Sequence, residues 1–86
     1  NKQLISFLKE KKFSDMRKWV VQNLDKDPSS LFSSIYEILY KHLQPQSIPV
    51  AVLTIADYQY KSAFVADHEI NMVACLTQIM AECKFK

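Results

Sequence analysis

The sequence contains no glycine at all. Phosphate loops and dinucleotide loops need glycine because a Cβ would keep the backbone away from the anion. The calcium loop of an EF-hand needs glycine at its sharp turn, and the tightest β-hairpins need an Asn-Gly or Asp-Gly pair. We therefore expect no nucleotide-binding loop, EF-hand or such hairpin within these 86 residues.

Cysteine and histidine are scarce, with two of each. Cys75 and Cys83 are eight residues apart on one predicted helix, about 12 Å, which is too far for a disulfide. The sequence has no CxxC pair of the kind that zinc sites use. We expect two buried thiols, a reducing compartment and no metal site. Neither His42 nor His68 has a nucleophile beside it in the sequence, so no catalytic site is expected.

Apolar residues recur at helical spacing along the whole chain, interrupted by short polar breaks such as residues 23–28 (NLDKDP) and 44–47 (QPQS). Asp27 or Ser29 is expected to cap the third helix and Asp67 the fifth. Residues 48–55 are rich in β-branched side chains, but no second strand exists to pair with them, so we expect a helix there too. The prediction is an all-α fold, a compact bundle of about five helices in one domain over residues 1–86.

Two further expectations concern the C-terminal residues and membrane association. Residues 84–86 follow the last apolar stripe and are expected to fray. No stretch approaches the roughly 18–20 apolar residues that cross a bilayer, so we expect no membrane partner.

Basic residues are concentrated in the first third of the chain. Residues 1–26 hold seven basic and three acidic side chains, whereas residues 27–86 hold four and six. A basic patch can neutralise phosphates, which makes five side chains candidate nucleic-acid contacts: Lys9, Lys11, Lys12, Arg17 and Lys18. The alternative is a solvated helix end, with the lysines of residues 9–12 placed against the carbonyl end of the first helix.

The last two predicted helices carry more apolar side chains than one buried face requires. A surface helix needs an apolar stripe only about 100° wide, and both residues 50–65 and residues 70–83 exceed it. Either both helices are central in this small domain, or each has a second apolar face that a partner covers. We favour a partner, because five short helices can surround one helix but hardly two.

Three segments of the second half form a connected motif: residues 55–61 (IADYQYK), 66–70 (ADHEI) and 74–76 (ACL). They resemble the C-terminal collar domain of sliding-clamp loader small subunits, AAA+ proteins of the replication factor C type. That family shows an isoleucine-alanine-acidic segment leading to an aromatic-arginine pair, where Tyr60 and Lys61 stand here. Residues 13–17 (FSDMR) resemble the short helix after its ATPase module. Val65 stands where the family usually has glycine, and this glycine-free version looks most like that of a large tailed phage.

The resemblance implies that residues 1–86 are one helical collar domain from the C-terminal part of a longer AAA+ protein. Copies of this subunit and a second type of clamp-loader subunit would form a ring-shaped collar. The collar would hold the ATPase modules around primer-template DNA while they open a sliding clamp. ATP and Mg would bind in the parent protein's other modules, so the resemblance implies no cofactor and no catalytic residue in this segment. The location would be the cytoplasm, that of the host cell if a phage encodes the chain.

We expect the subunit contacts on the last two helices, at six residues: Tyr58, Lys61, Phe64, Ile70, Met72 and Ile79. Tyr58 and Tyr60 point about 200° apart on a helix, so one can serve the core while the other faces a neighbour. Plain core packing is the alternative for each candidate. Two other functions stay open for the chain, a free-standing helical adaptor that binds one partner helix and a small basic DNA-binding domain.

Overall fold

The structure, a computed structural model, describes residues 2–86, which form five α-helices. They are α1 (Lys2–Lys9), α2 (Phe13–Gln22), α3 (Pro28–His42), α4 (Ile48–Lys61) and α5 (His68–Glu82). A short 3-10 turn, Pro45–Ser47, leads into α4. The predicted all-α bundle of about five helices is therefore confirmed, and residues 48–55 are helical as expected.

Helix α5 lies at the centre of the bundle. It packs against α4, α2 and α1, and α3 packs against α4 and α1. The buried side chains of α5 recur at three- and four-residue steps and include Met72, Cys75, Leu76 and Ile79. Helix α4, in contrast, buries only Ala51, Thr54 and Ile55. The wide apolar surface of α5 is thus largely used inside the chain, whereas that of α4 is not.

Two aspartates begin helices in the way that their positions predict. Asp27 precedes Pro28, the first residue of α3, and its Oδ2 accepts a hydrogen bond from the Ser30 N–H at 3.1 Å. Asp67 precedes α5, and its Oδ1 accepts from the N–H groups of Glu69 and Ile70, at 2.9 and 3.2 Å. Each carboxylate satisfies amide groups that the first turn of a helix leaves unpaired.

The prediction that residues 84–86 fray is wrong. This segment pairs with the chain between α3 and α4 through an isolated bridge that joins Leu43 and Phe85. Further bonds tie the segment to the bundle: the Gln44 N–H to the Lys84 carbonyl (2.9 Å), the Lys86 N–H to the His42 carbonyl (2.9 Å) and the Lys84 N–H to Ser47 Oγ (2.8 Å). The C-terminal segment is therefore held in place by its own backbone.

Candidate subunit interface

The outer face of α4 carries large apolar side chains that the bundle leaves uncovered. Leu53, Tyr60 and Phe64 are 73%, 70% and 72% exposed. With Asp57, they follow one another at steps of three or four residues, which places them on one side of the helix and its exit. We call these four residues the α4 stripe. Single exposed apolar residues are ordinary, but a continuous row of them marks an interaction surface.

Three contacts lie on the α4 stripe or beside it. The rings of Tyr60 and Phe64 lie 5.3 Å apart between centroids. Lys61 Nζ lies 2.9 Å from Asp57 Oδ2 and 4.9 Å from the centre of the Tyr58 ring. The hydrogen bond to Asp57 raises the pKa of Lys61 above its ordinary value. Lys61 therefore stays charged at neutral pH, and its ion pair with Asp57 lies beside the aromatic rings.

A second apolar surface lies between α2 and α5. It is an open groove of about 620 Å³, which we call the α2–α5 groove, lined by Phe13, Arg17, Glu69, Ile70, Val73, Ala74, Thr77, Gln78 and Ala81. Phe13 and Ile70 are both exposed. The guanidinium of Arg17 lies 3.1 Å from the carboxylate of Glu69 and so joins the two helices across the groove. The groove has no residue in common with the α4 stripe.

A smaller groove of about 380 Å³ separates α3 from α4. Its lining includes Tyr36 and Val52, but also Glu37, which has no ion-pair partner within the described residues. Burial of an unpaired carboxylate is costly, because the charge loses its hydration without a counter-charge. This groove is therefore a poorer place for an apolar partner than the α2–α5 groove.

The structure separates the six predicted contact residues into two groups. Phe64, Ile70 and Lys61 are exposed, and Tyr58 is half-buried with its side chain packed against the core. Met72 and Ile79 were wrong choices for subunit contacts, because they are 3% and 0% exposed. Both lie on the side of α5 that faces the other helices of the bundle, so they have no surface left for a neighbour.

Leu53 and Tyr60 belong to the exposed surface, and the sequence analysis did not include them among its candidate contact residues. One signal in the sequence points to them. Tyr58 is three residues from the buried Ile55, so it shares the inner face of α4, whereas Tyr60 falls on the outer face. Leu53 is seven residues before Tyr60, two helical turns away on the same outer face.

The five candidate nucleic-acid contacts lie along α1, α2 and the turn between them. Three of them already have protein partners: Lys9 Nζ donates to the Lys86 carbonyl at 2.7 Å, Lys12 pairs with Glu10 at 3.2 Å, and Arg17 pairs with Glu69. The bond from Lys12 lowers the pKa of Glu10. Lys11 and Lys18 are exposed and form no ion pair within residues 2–86. Three of the five candidate contacts therefore already have a partner within the chain.

The two cysteines are free and buried, as predicted. Burial raises the pKa of Cys75 to about 12 and also raises the pKa of Cys83. Both thiols therefore stay protonated at neutral pH and are weak nucleophiles.

Within the described residues, no group of three His, Cys, Asp or Glu side chains is placed to hold a metal ion. No helix in this part of the chain is long and apolar enough to cross a membrane.

Neither a protein-family model nor a curated protein matches this chain. The resemblance to clamp-loader collars therefore stays a prediction.

Proposed function

We propose that this chain is the collar domain of a sliding-clamp loader small subunit, and that it joins like subunits through exposed apolar side chains. The observation that carries the proposal is the α4 stripe. Leu53, Tyr60 and Phe64 form an apolar row on a helix that already buries a separate inner face. A chain of this size exposes such a row at a cost in solubility, and cover by a protein partner removes that cost.

The proposed role is mechanical rather than catalytic. The domain would hold the ATPase modules of its parent protein in a ring, together with a second type of subunit, while those modules act on a sliding clamp at primer-template DNA. ATP and Mg would belong to those modules, and the collar itself would contribute no catalytic group. The site of action would be the cytoplasm, that of the host cell if a phage encodes the chain.

The arrangement of surfaces supports ring assembly. A ring forms when two different faces of one subunit meet, so that each copy offers one face to each neighbour. The α4 stripe and the α2–α5 groove are two such faces, and they share no residue. Helix α5 packs against both α4 and α2 and so connects the elements that carry the two faces.

A helical adaptor is the second candidate, because the α2–α5 groove has the form of an acceptor for one partner helix. The DNA-binding alternative has weaker support, since three of the five basic candidates already hold protein acceptors.

Native mass spectrometry of the chain separates these functions. The collar proposal predicts assemblies of more than two copies, which persist when the salt concentration is raised because apolar contacts are not screened. A chain that stays monomeric at all concentrations would contradict the proposal and favour the adaptor.

Fluorescence anisotropy with labelled primer-template DNA provides the parallel test. Tight binding that weakens steeply with salt would favour a DNA-binding domain instead.

A further inference from the structure

We infer that the α4 stripe of one copy docks into the α2–α5 groove of a second copy. This inference rests on the proposed function, because it names the two faces through which like subunits meet. The occupant of the groove is thus this same chain, and the contact is head-to-tail.

The two surfaces match in shape. The stripe offers three large side chains, Leu53, Tyr60 and Phe64. Helix α5 contributes two alanines to the groove, Ala74 and Ala81, beside larger side chains such as Ile70. Small side chains let a second helix approach closely, and large ones fill the space between them. The helical part of the stripe, from Leu53 to Tyr60, is about 10 Å long, and the groove runs about 16 Å along α5 from Ile70 to Ala81, at 1.5 Å per residue. This helical part fits within the length of the groove, and Phe64 follows it beyond the end of α4.

The two surfaces also match in charge. Each carries one ion pair, Asp57 with Lys61 on the stripe and Arg17 with Glu69 in the groove. In both pairs the side chains are partly exposed, so the four groups can exchange partners when the surfaces meet. Every charge then keeps a counter-charge, which avoids the cost of an unpaired buried ion. The α3–α4 groove lacks this property because of the unpaired Glu37.

A contact of this kind propagates. The stripe and the groove are separate surfaces, so a docked copy still offers a free stripe or a free groove to the next copy. The number of copies is then set by the angle of the contact, which closes a ring or continues as a filament.

Two exposed positions test the pairing. Leu53→Asp places a charge at the N-terminal end of the stripe, and Thr77→Glu places one in the groove. Thr77 is exposed and its hydroxyl bonds only within α5, to the Val73 carbonyl, so both variants are expected to fold. Each variant alone should associate about tenfold or more weakly than the unmodified chain, as substitution of a contact residue that contributes strongly to binding does.

A mixture of the two variants gives the decisive result. The Leu53→Asp chain retains its groove and the Thr77→Glu chain retains its stripe, so an equimolar mixture should form a heterodimer with the affinity of the unmodified contact. Larger species should not form, because the heterodimer has only the two damaged faces left. Ser33→Glu, an exposed change in the α3–α4 groove, is the matched control and should assemble normally.

The other outcomes overturn the inference in distinguishable ways. If the unmodified chain assembles but the mixture stays monomeric, or if either variant assembles fully, the pairing of these faces is wrong while the oligomerisation proposal stands. Loss of assembly in Ser33→Glu would assign the acceptor to the α3–α4 groove. An unmodified chain that stays monomeric would overturn the proposed function and the inference together.

Discussion

Asn71 connects the two helices that carry the exposed surfaces. Its side chain is buried in α5, and its Nδ2 donates to the Tyr58 carbonyl near the end of α4 at 3.1 Å. Asn71→Ala removes this bond and leaves a gap at the junction. We expect a loss of about 1–2 kcal/mol in the free energy of unfolding, measured by urea denaturation.

The matched control for this change is Asn23→Ala. The Asn23 side chain donates to the Trp19 carbonyl at 2.7 Å, within the last turn of α2, and joins no second helix. We expect a smaller loss for Asn23→Ala than for Asn71→Ala. Equal losses would show that the junction between α4 and α5 does not depend on Asn71.

Cys75 makes the stability of the fold sensitive to alkaline pH. Its pKa is raised to about 12 by burial, whereas an unfolded thiol has a pKa of about 8.5. The unfolded chain thus loses this proton first. The stabilising effect of the protonated native thiol is complete below the unfolded pKa and disappears as the pH rises toward the folded value.

Urea denaturation at a series of pH values measures this effect. We expect the free energy of unfolding to fall above about pH 8.5, and to fall less in Cys75→Ala, which has no proton to lose at this position. Iodoacetamide should leave Cys75 unmodified in the native chain and modify it in urea. A native chain that is alkylated at Cys75 at neutral pH would contradict the burial of this thiol.

Some individual residues could be predicted from the sequence and others could not. Asp27 and Asp67 were predictable, because a cap depends on the few residues that follow it. Met72 and Ile79 were not, since apolar side chains at helical spacing look alike whether the helix faces its own core or a partner. Which of the two applies is decided by the neighbouring helices, which the local pattern does not contain.

The C-terminal segment shows the same limit at the scale of an element. Its partners are His42, Gln44 and Ser47, which lie about forty residues earlier in the chain. A pairing of this length leaves no periodic pattern in the sequence. The structure therefore places residues 84–86 in the bundle where the sequence predicted a frayed end.

Deletion of residues 84–86 tests this element. The deletion removes two hydrogen bonds of Lys84, which are the bond from the Gln44 N–H to its carbonyl and the bond from its own N–H to Ser47 Oγ. It also uncovers Leu43, which is fully buried. We expect the free energy of unfolding to fall by about 1–3 kcal/mol. A double Lys84→Ala, Lys86→Ala variant is the control, because it keeps every backbone bond and should change stability by less than about 0.5 kcal/mol. A deletion as stable as the full chain would show that the segment is frayed in solution.

The last two helices were both predicted to have a second apolar face that a partner covers. In the structure they differ in this respect. Both have wide apolar surfaces in the sequence. Helix α5 is surrounded by α4, α2 and α1, whereas within residues 2–86 no helix covers the outer side of α4. The width of the apolar surface of a helix shows how much of that helix must be covered. It does not show whether the covering residues belong to the same chain or to a partner.

At the scale of the whole molecule, Phe64 separates folding from assembly. Its side chain is exposed, so Phe64→Asp should leave the helical circular dichroism nearly unchanged, and also the unfolding midpoint at concentrations where the unmodified chain is monomeric. The same change places a charge in the α4 stripe and should weaken association about tenfold or more. Light scattering against concentration measures the association.

Tyr40→Asp is the matched control for Phe64→Asp. Tyr40 is also an exposed aromatic residue, but it lies on α3, outside both the α4 stripe and the α2–α5 groove. The Tyr40→Asp chain should associate like the unmodified chain. Unfolding of the Phe64→Asp chain would instead place Phe64 in the core and remove it from the interface.

The central claim is that this small bundle joins copies of itself through apolar faces. Sedimentation velocity of the unmodified chain, over a wide range of concentration and at low and high salt, tests it most directly. The claim predicts species larger than dimers whose proportion rises with concentration and does not fall with salt. A monomer at every concentration, or association that disappears at high salt, would contradict it.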